Sequence, residues 1–275
     1  MDLGLANAAV VISGGSKGMG RAAAEAYAAE GTRVGVLARG QEAIDDTLAR
    51  CRELGAVDTL ALPADLTNAA SISAAFETVA DRWGALHVLV NAAGPVEVGV
   101  GGFDAVDDEE WQATFDIGTL SAVRCVRSAL PLLRAGARQD GGFARIVNVS
   151  AHSTKRQSPE LVAYTAAKAA LTSLSKNLSQ SLAPEGILVN TVSPGSFLSP
   201  GMRGYLAGLP ADRSVNPDSL EDAMRVIKED FGHPAHLPRA GDPHEIGPVI
   251  VFVGSRLNSY MTGANINVDG GSDFC

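Results

Sequence analysis

The chain has 275 residues, of which 46% are hydrophobic and 19% charged, a balance typical of a folded globular protein. Its formal net charge is −9, and no run of Lys and Arg is long enough to follow a phosphate backbone, which argues against nucleic-acid binding. No apolar stretch reaches the ~18 residues of a membrane span, and the first residues lack the basic and apolar regions of a signal peptide. Three widely spaced cysteines, Cys51, Cys125 and Cys275, argue against a disulfide framework. We therefore expect a cytoplasmic protein with no membrane association.

Short apolar runs alternate with longer helical patterns along the chain. The predicted strands are Ala8–Ser13, Arg33–Ala38, Thr59–Leu62, Val88–Asn91, Arg145–Ser150, Leu188–Ser193 and Asn265–Val268. The predicted helices are Gly18–Glu30, Gln41–Leu54, Ile72–Trp83, Glu109–Leu133, Val162–Leu182 and Pro243–Phe252. This order predicts an α/β fold over residues 1–275, a single Rossmann-type domain with a doubly wound parallel sheet of about seven strands flanked by helices.

The segment Ser199–Arg239 interrupts the alternation and is rich in Pro and Gly, with one predicted helix, Leu220–Glu229. Long excursions after a strand often carry function, so we interpret residues 199–239 as a substrate lid, hereafter the lid segment. A group of apolar side chains in it either lines a substrate pocket or packs the lid itself: Met202, Tyr205, Leu206 and Leu209.

A glycine-rich turn joins the first predicted strand to the first predicted helix. Glycines permit a tight turn and close approach of a pyrophosphate, and the following helix N-terminus offers unpaired N–H groups to phosphates. The position of the turn at the first strand–helix junction favours dinucleotide binding over an ordinary turn. The cofactor-binding residues predicted here are Gly14, Ser16, Lys17, Gly18, Met19 and Gly20.

The end of the second strand indicates which nicotinamide cofactor is preferred. An NAD site usually has an acidic residue there to bind the ribose 2′-hydroxyl. This strand instead ends in Ala38-Arg39, and Arg39 together with Lys17 of the glycine turn can pair with a 2′-phosphate. The sequence therefore predicts NADP(H), with NAD(H) as the second choice.

Tyr164 and Lys168 stand four residues apart in a predicted helix, so their side chains share one helical face. A nearby ammonium favours a phenolate and lowers the pKa of a phenol. A tyrosine tuned in this way can exchange a proton with a substrate oxygen near neutral pH.

Together these motifs resemble the short-chain dehydrogenase/reductase family over nearly the whole chain. The resemblance implies that Asp65 and Leu66 lie beside the adenine, that the Asn91-Ala92-Ala93-Gly94 stretch borders the cofactor, and that Tyr164 and Lys168 are both catalytic and cofactor-binding. It further implies a nicotinamide loop with four contact residues: Pro194, Gly195, Phe197 and Ser199. Family members also suggest a homotetramer or dimer.

Two positions depart from the family pattern. The serine that binds the substrate carbonyl usually lies thirteen residues before the tyrosine, and here that position is Ala151. The hydrogen-bond donor to the substrate carbonyl can instead be Ser150 or Ser153, and His152 is a less favoured candidate. Ser150 can equally well form a hydrogen bond with its own backbone at the end of the strand, without a catalytic role.

Gly118 stands where the family often has an asparagine that holds a proton-relaying water. Glycine has no side chain for this role, so a water in the space left, or Thr119, is expected to take it over.

These features predict an NADP(H)-dependent oxidoreductase that interconverts a small-molecule carbonyl and a secondary alcohol. The alternative is an NADP(H)-binding regulatory protein of low activity, which the two departures motivate. The substrate is hydrophobic or acyl in one reading, and a carrier protein would then dock on a basic patch: Arg124, Arg127, Arg134 and Arg138. His233 and His236 lack a third ligand at metal spacing, so no metal site is predicted.

Overall fold

Seven parallel strands form one sheet in the computed structural model, which describes residues 1–95, 101–139, 141–232 and 234–272. The sheet order is β3-β2-β1-β4-β5-β6-β7. The strands are β1 Ala9–Ser13, β2 Arg33–Ala38, β3 Asp58–Pro63, β4 Val88–Asn91, β5 Ala144–Val149, β6 Ile187–Pro194 and β7 Asn265–Val268. The predicted doubly wound parallel sheet is confirmed.

The helices connect successive strands and cover both faces of the sheet. They are α1 Gly18–Ala29, α2 Gln41–Leu54, α3 Ala69–Trp83, α4 Asp108–Phe115, α5 Ser121–Arg138, α6 Val162–Leu182, α7 Pro200–Ala207, α8 Leu220–Val226 and α9 Pro243–Val253. Alternate side chains of a strand enter opposite layers. Val10 and Ile12 pack with α1, α2 and α9, whereas Ala9 and Val11 pack with α3 and α5.

The predicted helix Glu109–Leu133 is not continuous. A π-helical turn, Asp116–Leu120, separates α4 from α5, and α5 runs on to Arg138. A π-turn inserts one residue into the helical repeat, so the side chains before and after it face different directions. Gly118 lies at the centre of this turn and is buried.

The lid segment contains two α-helices where the sequence predicts one. The predicted helix Leu220–Glu229 corresponds to α8 and the π-turn Ile227–Phe231 that follows it, and α7 is additional. Apolar side chains of the lid segment and of the residues that flank it form a small core separate from the two layers at the sheet, hereafter the lid core: Leu198, Leu206, Ala223, Met224, Val226, Ile227 and Ala240.

Candidate active site

The glycine turn lies at the carboxyl ends of β1 and β4, where the strand order reverses direction. Ligands of open α/β sheets bind at such a switch point. Gly14 has φ +72°, and a Cβ on it would lie 2.7 Å from the backbone nitrogen of Ala93, so only glycine allows the two loops to meet. Helix α1 begins directly after Lys17, whose side chain makes no capping hydrogen bond. The first N–H groups of α1 are therefore available to an anion.

The predicted 2′-phosphate cations both lie on the surface beside this turn. Lys17 and Arg39 are exposed, and Arg39 follows the last residue of β2. Asp65 accepts hydrogen bonds from the backbone N–H and hydroxyl of Thr67, and these bonds, with a smaller contribution from Arg39, lower the pKa of its carboxyl. Leu66 is buried beside it. Arg39 thus lies close enough to Asp65 for their charges to interact.

Two other residues of the turn have structural contacts. The carbonyl of Ser16 accepts a hydrogen bond from the Thr47 hydroxyl at 3.2 Å, which ties α2 to the turn. Met19 packs partly buried against the α1 layer of the core. Any cofactor contact of these two residues stays a prediction.

The side chain of Asn91 belongs to a buried hydrogen-bond chain that the sequence does not predict. Its amide nitrogen donates to Asn148 Oδ1 at 2.8 Å, and the amide of Asn148 donates to Ser175 Oγ at 2.8 Å. Ser13 Oγ donates to Asn91 Oδ1 at 3.4 Å. The chain joins β1, β4, β5 and α6 under the crevice. An asparagine inside the apolar strand β5 is the signal that points to it.

Lys168 is buried where α6 faces the carboxyl ends of β4 and β5. Its Nζ donates to the carbonyl of Val149 at 2.8 Å, and a Cβ on Gly94 would lie 3.2 Å from Nζ. The ammonium therefore lies against the Asn91–Gly94 stretch, and Tyr164 lies half-buried one turn earlier on α6. The structure thus brings Lys168 to the predicted cofactor crevice.

Burial shifts both groups towards their neutral forms. It raises the pKa of Tyr164 to about 12 and lowers the pKa of Lys168 to about 8. The sequence predicts a lowered pKa for the phenol of Tyr164. For the protein alone that prediction is wrong, because the burial of the phenol away from water raises its pKa. At neutral pH Tyr164 is a phenol and Lys168 is mostly an ammonium.

The candidate serines contact different turns of α6. Ser150 Oγ hydrogen-bonds to Thr172 Oγ1 at 2.7 Å and to the Lys168 carbonyl at 3.1 Å. Thr172 is eight residues beyond Tyr164, about 12 Å along a helix that rises ~1.5 Å per residue. Ser153 Oγ instead accepts from Thr165, the residue next to Tyr164, at 3.3 Å. Ser153 keeps its own hydroxyl proton to donate, so the geometry favours Ser153 over Ser150.

His152 is oriented by the nicotinamide loop. Its Nδ1 lies 3.2 Å from the carbonyl oxygen of Pro194. A carbonyl can only accept, so Nδ1 carries the proton and Nε2 of the neutral ring is an acceptor. A neutral His152 in this tautomer does not donate to a substrate carbonyl.

Gly118 packs directly on α6 beside Lys168. A Cβ on Gly118 would lie 2.9 Å from Ala167 Cβ, closer than such atoms approach in proteins. Ala167 therefore occupies the position next to a Cβ at residue 118, and the expected water in place of the missing asparagine stays a prediction. Thr119 donates its hydroxyl to the Ala167 carbonyl at 2.6 Å, so this contact fixes α6.

The nicotinamide loop follows β6 and leads into the lid segment. A Cβ on Gly195 would lie 2.6 Å from Asp269 Cα, so the loop packs closely on the turn after β7. Phe197 is buried and pairs with Gly241 in an isolated bridge. Ser199 caps α7 by accepting from the N–H of Met202. Pro200 lies beside the glycine turn, where its Cδ would be 3.3 Å from a Cβ on Gly18.

The apolar group predicted in the lid segment packs the lid. Leu206 is buried in the lid core, and Met202 and Leu209 pack against it. Tyr205 lies at the surface and donates its hydroxyl to Asp230 at 2.8 Å. Arg213 pairs with the same carboxylate and lowers its pKa.

The predicted basic docking patch is partly neutralised. Arg124 forms an ion pair with Asp116, and Arg134 forms a two-pronged ion pair with Glu185.

Within residues 1–95, 101–139, 141–232 and 234–272, no cluster of three metal-ligating side chains occurs. His233 and Cys275 lie outside the described residues. The other two cysteines, Cys51 and Cys125, are buried, and burial raises the pKa of their thiols to about 12. Across those same ranges, no helix combines the length and apolar character needed to cross a bilayer.

Comparison with known proteins gives matches along the whole chain. The family profile described as "Enoyl-(Acyl carrier protein) reductase" matches residues 14–273. An uncharacterized oxidoreductase of Bacillus subtilis, YvrD, is 32% identical over 273 residues and 98% of each chain. The rhamnolipids biosynthesis 3-oxoacyl-[acyl-carrier-protein] reductase of Pseudomonas aeruginosa is 31% identical, over 97% of this chain and 96% of its own.

The fold has a similarly extensive structural match. The crystal structure of L-sorbose reductase from Gluconobacter frateurii, complexed with NADPH and L-sorbose, superposes with a TM-score of 0.89 at 27% identity. The match covers 99% of this chain and 98% of the reductase.

Proposed function

The chain belongs to the short-chain dehydrogenase/reductase family and is an oxidoreductase of that type, and we propose that it interconverts a carbonyl and a secondary alcohol with NADP(H). The observation that carries the proposal is the position of Lys168. Its ammonium is buried against Val149 and Gly94 at the dinucleotide crevice, one helical turn from Tyr164. Among the residues that the structure describes, no carboxylate forms an ion pair with Lys168. Burying a lysine in this way is costly, and a role in catalysis explains why the chain holds it there.

The residues of the crevice fit a nicotinamide dinucleotide. Gly14 lets the glycine turn meet the Asn91–Gly94 stretch, and the N-terminus of α1 offers its N–H groups to a pyrophosphate. Lys17 and Arg39 would hold the 2′-phosphate, which favours NADP(H) over NAD(H). The related L-sorbose reductase is complexed with NADPH, which supports this choice.

The remaining predicted contacts come from the strand ends. Asp65 and Leu66 would border the adenine, and the loop residues Pro194, Gly195 and Phe197 would border the nicotinamide. When bound, the cofactor supplies or accepts a hydride at nicotinamide C4.

Tyr164 would transfer the proton that accompanies the hydride. In reduction, the phenol O–H bond breaks as the substrate oxygen takes the proton, and Tyr164 is left as a phenolate that solvent reprotonates. The raised pKa of Tyr164 keeps the phenol protonated at neutral pH, as a proton donor must be. Lys168 stabilises the phenolate through its positive charge, and Ser153 donates a hydrogen bond to the substrate oxygen.

The relatives support a carbonyl or alcohol substrate without selecting one. One acts as a 3-oxoacyl reductase, and another is complexed with a keto sugar. No comparison supports the alternative of a regulatory or low-activity NADP(H)-binding protein. A homotetramer or dimer and a cytoplasmic location remain predictions, and light scattering tests the first.

Tyr164→Phe tests the proposal. We expect this variant to lose at least ~10²-fold in turnover on a panel of ketones, keto sugars and 3-oxoacyl thioesters, because it removes the proton donor. NADPH binding, followed by fluorescence, should persist. Tyr260→Phe is the matched control, since Tyr260 is fully exposed. Unchanged turnover in Tyr164→Phe would remove Tyr164 from the mechanism.

A further inference from the structure

Arg156 lies between β5 and α6, two residues after the short turn His152–Thr154 that carries Ser153. Its half-buried guanidinium donates to three backbone carbonyls. Nη1 donates to Ser272 at 2.7 Å and to Pro234 at 3.3 Å, and Nη2 contacts Gly232 at 3.5 Å. These carbonyls belong to the end of the lid segment and to the turn after β7, so one side chain joins three separate pieces of chain.

The turn after β7 is itself packed on both of its sides. The N–H groups of His236 and Leu237 each donate to the Gly270 carbonyl at 3.0 Å. A Cβ on Gly271 would lie 3.1 Å from His236 Cβ, and a Cβ on Gly195 would lie 2.6 Å from Asp269 Cα. The turn therefore contacts the lid end on one side and the nicotinamide loop on the other.

From these contacts we propose that Arg156 is a positioning residue for substrate recognition. It holds the end of the lid segment at a fixed distance from the loop that carries Ser153, and so sets the depth of the substrate site. The inference rests on the proposed carbonyl/alcohol reaction. It goes beyond that reaction because Arg156 binds backbone carbonyls of the lid end and acts through the lid.

Arginine suits this task because its planar guanidinium carries five N–H donors in a fixed fork. Lysine has a single ammonium that can reach one or two of the carbonyls but cannot spread across all three. Removing the guanidinium leaves the carbonyls of Ser272 and Pro234 without this charge-assisted donor. The lid end then loses its hydrogen bonds to the loop that carries Ser153, while the glycine turn and α1 are untouched.

The test compares Arg156→Ala, Arg156→Lys and the control Arg52→Ala, in which Arg52 is an exposed residue of α2. Substrate KM, kcat and the dissociation constant of NADPH are measured for each, with two substrates of different size. For Arg156→Ala we expect substrate KM to rise about tenfold and the preference between the substrates to change. Although the variant loses three hydrogen bonds, this rise is no larger than the effect of one charge-assisted hydrogen bond, because Arg156 acts on the substrate only through the lid end. Arg156→Lys should recover part of the KM, and NADPH affinity and the control should stay at wild-type values.

Two results would overturn the inference. One is a wild-type KM and substrate preference in Arg156→Ala. The other is a parallel fall of kcat, NADPH affinity and melting temperature in both Arg156 variants, which would show a general structural role. An inactive wild type that binds NADPH would instead refute the proposed reaction. Hydrogen exchange of the His236 and Leu237 amides, faster in Arg156→Ala than in wild type, would still support the link to the lid.

Discussion

Replacing Gly118 by alanine tests the packing that displaces the family's asparagine. The added Cβ would lie 2.9 Å from Ala167 Cβ, well inside the ~3.5–4.0 Å optimum for two carbon atoms. Overpacking of this kind costs about 1–3 kcal/mol. The better helix propensity of alanine offsets ~1 kcal/mol of that cost. We therefore expect Gly118→Ala to lower the free energy of unfolding by about 1 kcal/mol.

The reciprocal change separates steric conflict from other effects. Ala167→Gly alone should cost about 2 kcal/mol, from helix propensity and a lost buried methyl group. In the double variant Gly118→Ala/Ala167→Gly the methyl group moves from one helix to the other and the overlap disappears. The double variant should consequently be more stable than the sum of the two single changes predicts, by about 1–3 kcal/mol.

Urea unfolding followed by circular dichroism measures all four proteins of this cycle. The linear extrapolation gives each free energy of unfolding, and similar m-values show that the unfolded states are comparable. Additivity within ~0.5 kcal/mol would refute the close contact of Gly118 with Ala167. Catalysis provides a second check, because Ala167 precedes Lys168. A shift of α6 in Gly118→Ala should reduce turnover, and the double variant should restore it.

Three further predictions test the site. Ser153→Ala should lower kcat by about 10²-fold or more, whereas Ser150→Ala should leave kcat near wild type; the reverse order would assign the donor role to Ser150. The proposed mechanism needs the charged ammonium of Lys168, and burial lowers its pKa to about 8. The value of kcat/KM for carbonyl reduction should therefore fall as the pH rises through about 8. A flat profile from pH 7 to 9 would contradict this role of Lys168. Arg39→Asp should lower the ratio of kcat/KM with NADPH to kcat/KM with NADH by at least about tenfold, and Lys17→Ala should lower the same ratio by less. An unchanged ratio would place the 2′-phosphate elsewhere.

The sheet could be predicted closely because β1, β2, β4, β5 and β6 are largely buried and read as short apolar runs. The bounds predicted for β2, β4 and β7 are confirmed. The π-turn Asp116–Leu120 could not be predicted, since a single extra residue barely changes a hydrophobic pattern of period 3.6. Helix α7 was missed for a different reason: it begins Pro-Gly and contains a second glycine, which are turn signals in sequence.

In the site, features set by spacing along one helix could be predicted, whereas features set by contacts between distant segments could not. The shared helical face of Tyr164 and Lys168 follows from their spacing alone. The choice between Ser150 and Ser153 depends on the short turn His152–Thr154, which no count along the chain reveals. The contact of Gly118 with Ala167 joins residues far apart in sequence, so the sequence left its consequence for the proton path open.

The construction of the lid segment bears on where substrate specificity can change. Its helices pack around their own core, and Arg213 holds Asp230 and Glu229 within the lid itself. The described links from the lid segment to the rest of the chain include the carbonyls bound by Arg156, the N–H groups of His236 and Leu237 that donate to Gly270, and the ion pair of Arg239 with Glu245 of α9. None of these links uses a side chain of the lid core, so the lid core can be altered without disturbing β1, β4 or the glycine turn. Substitutions in the lid core should therefore change substrate KM while leaving NADPH affinity intact, because the two sites rest on separately packed groups of residues.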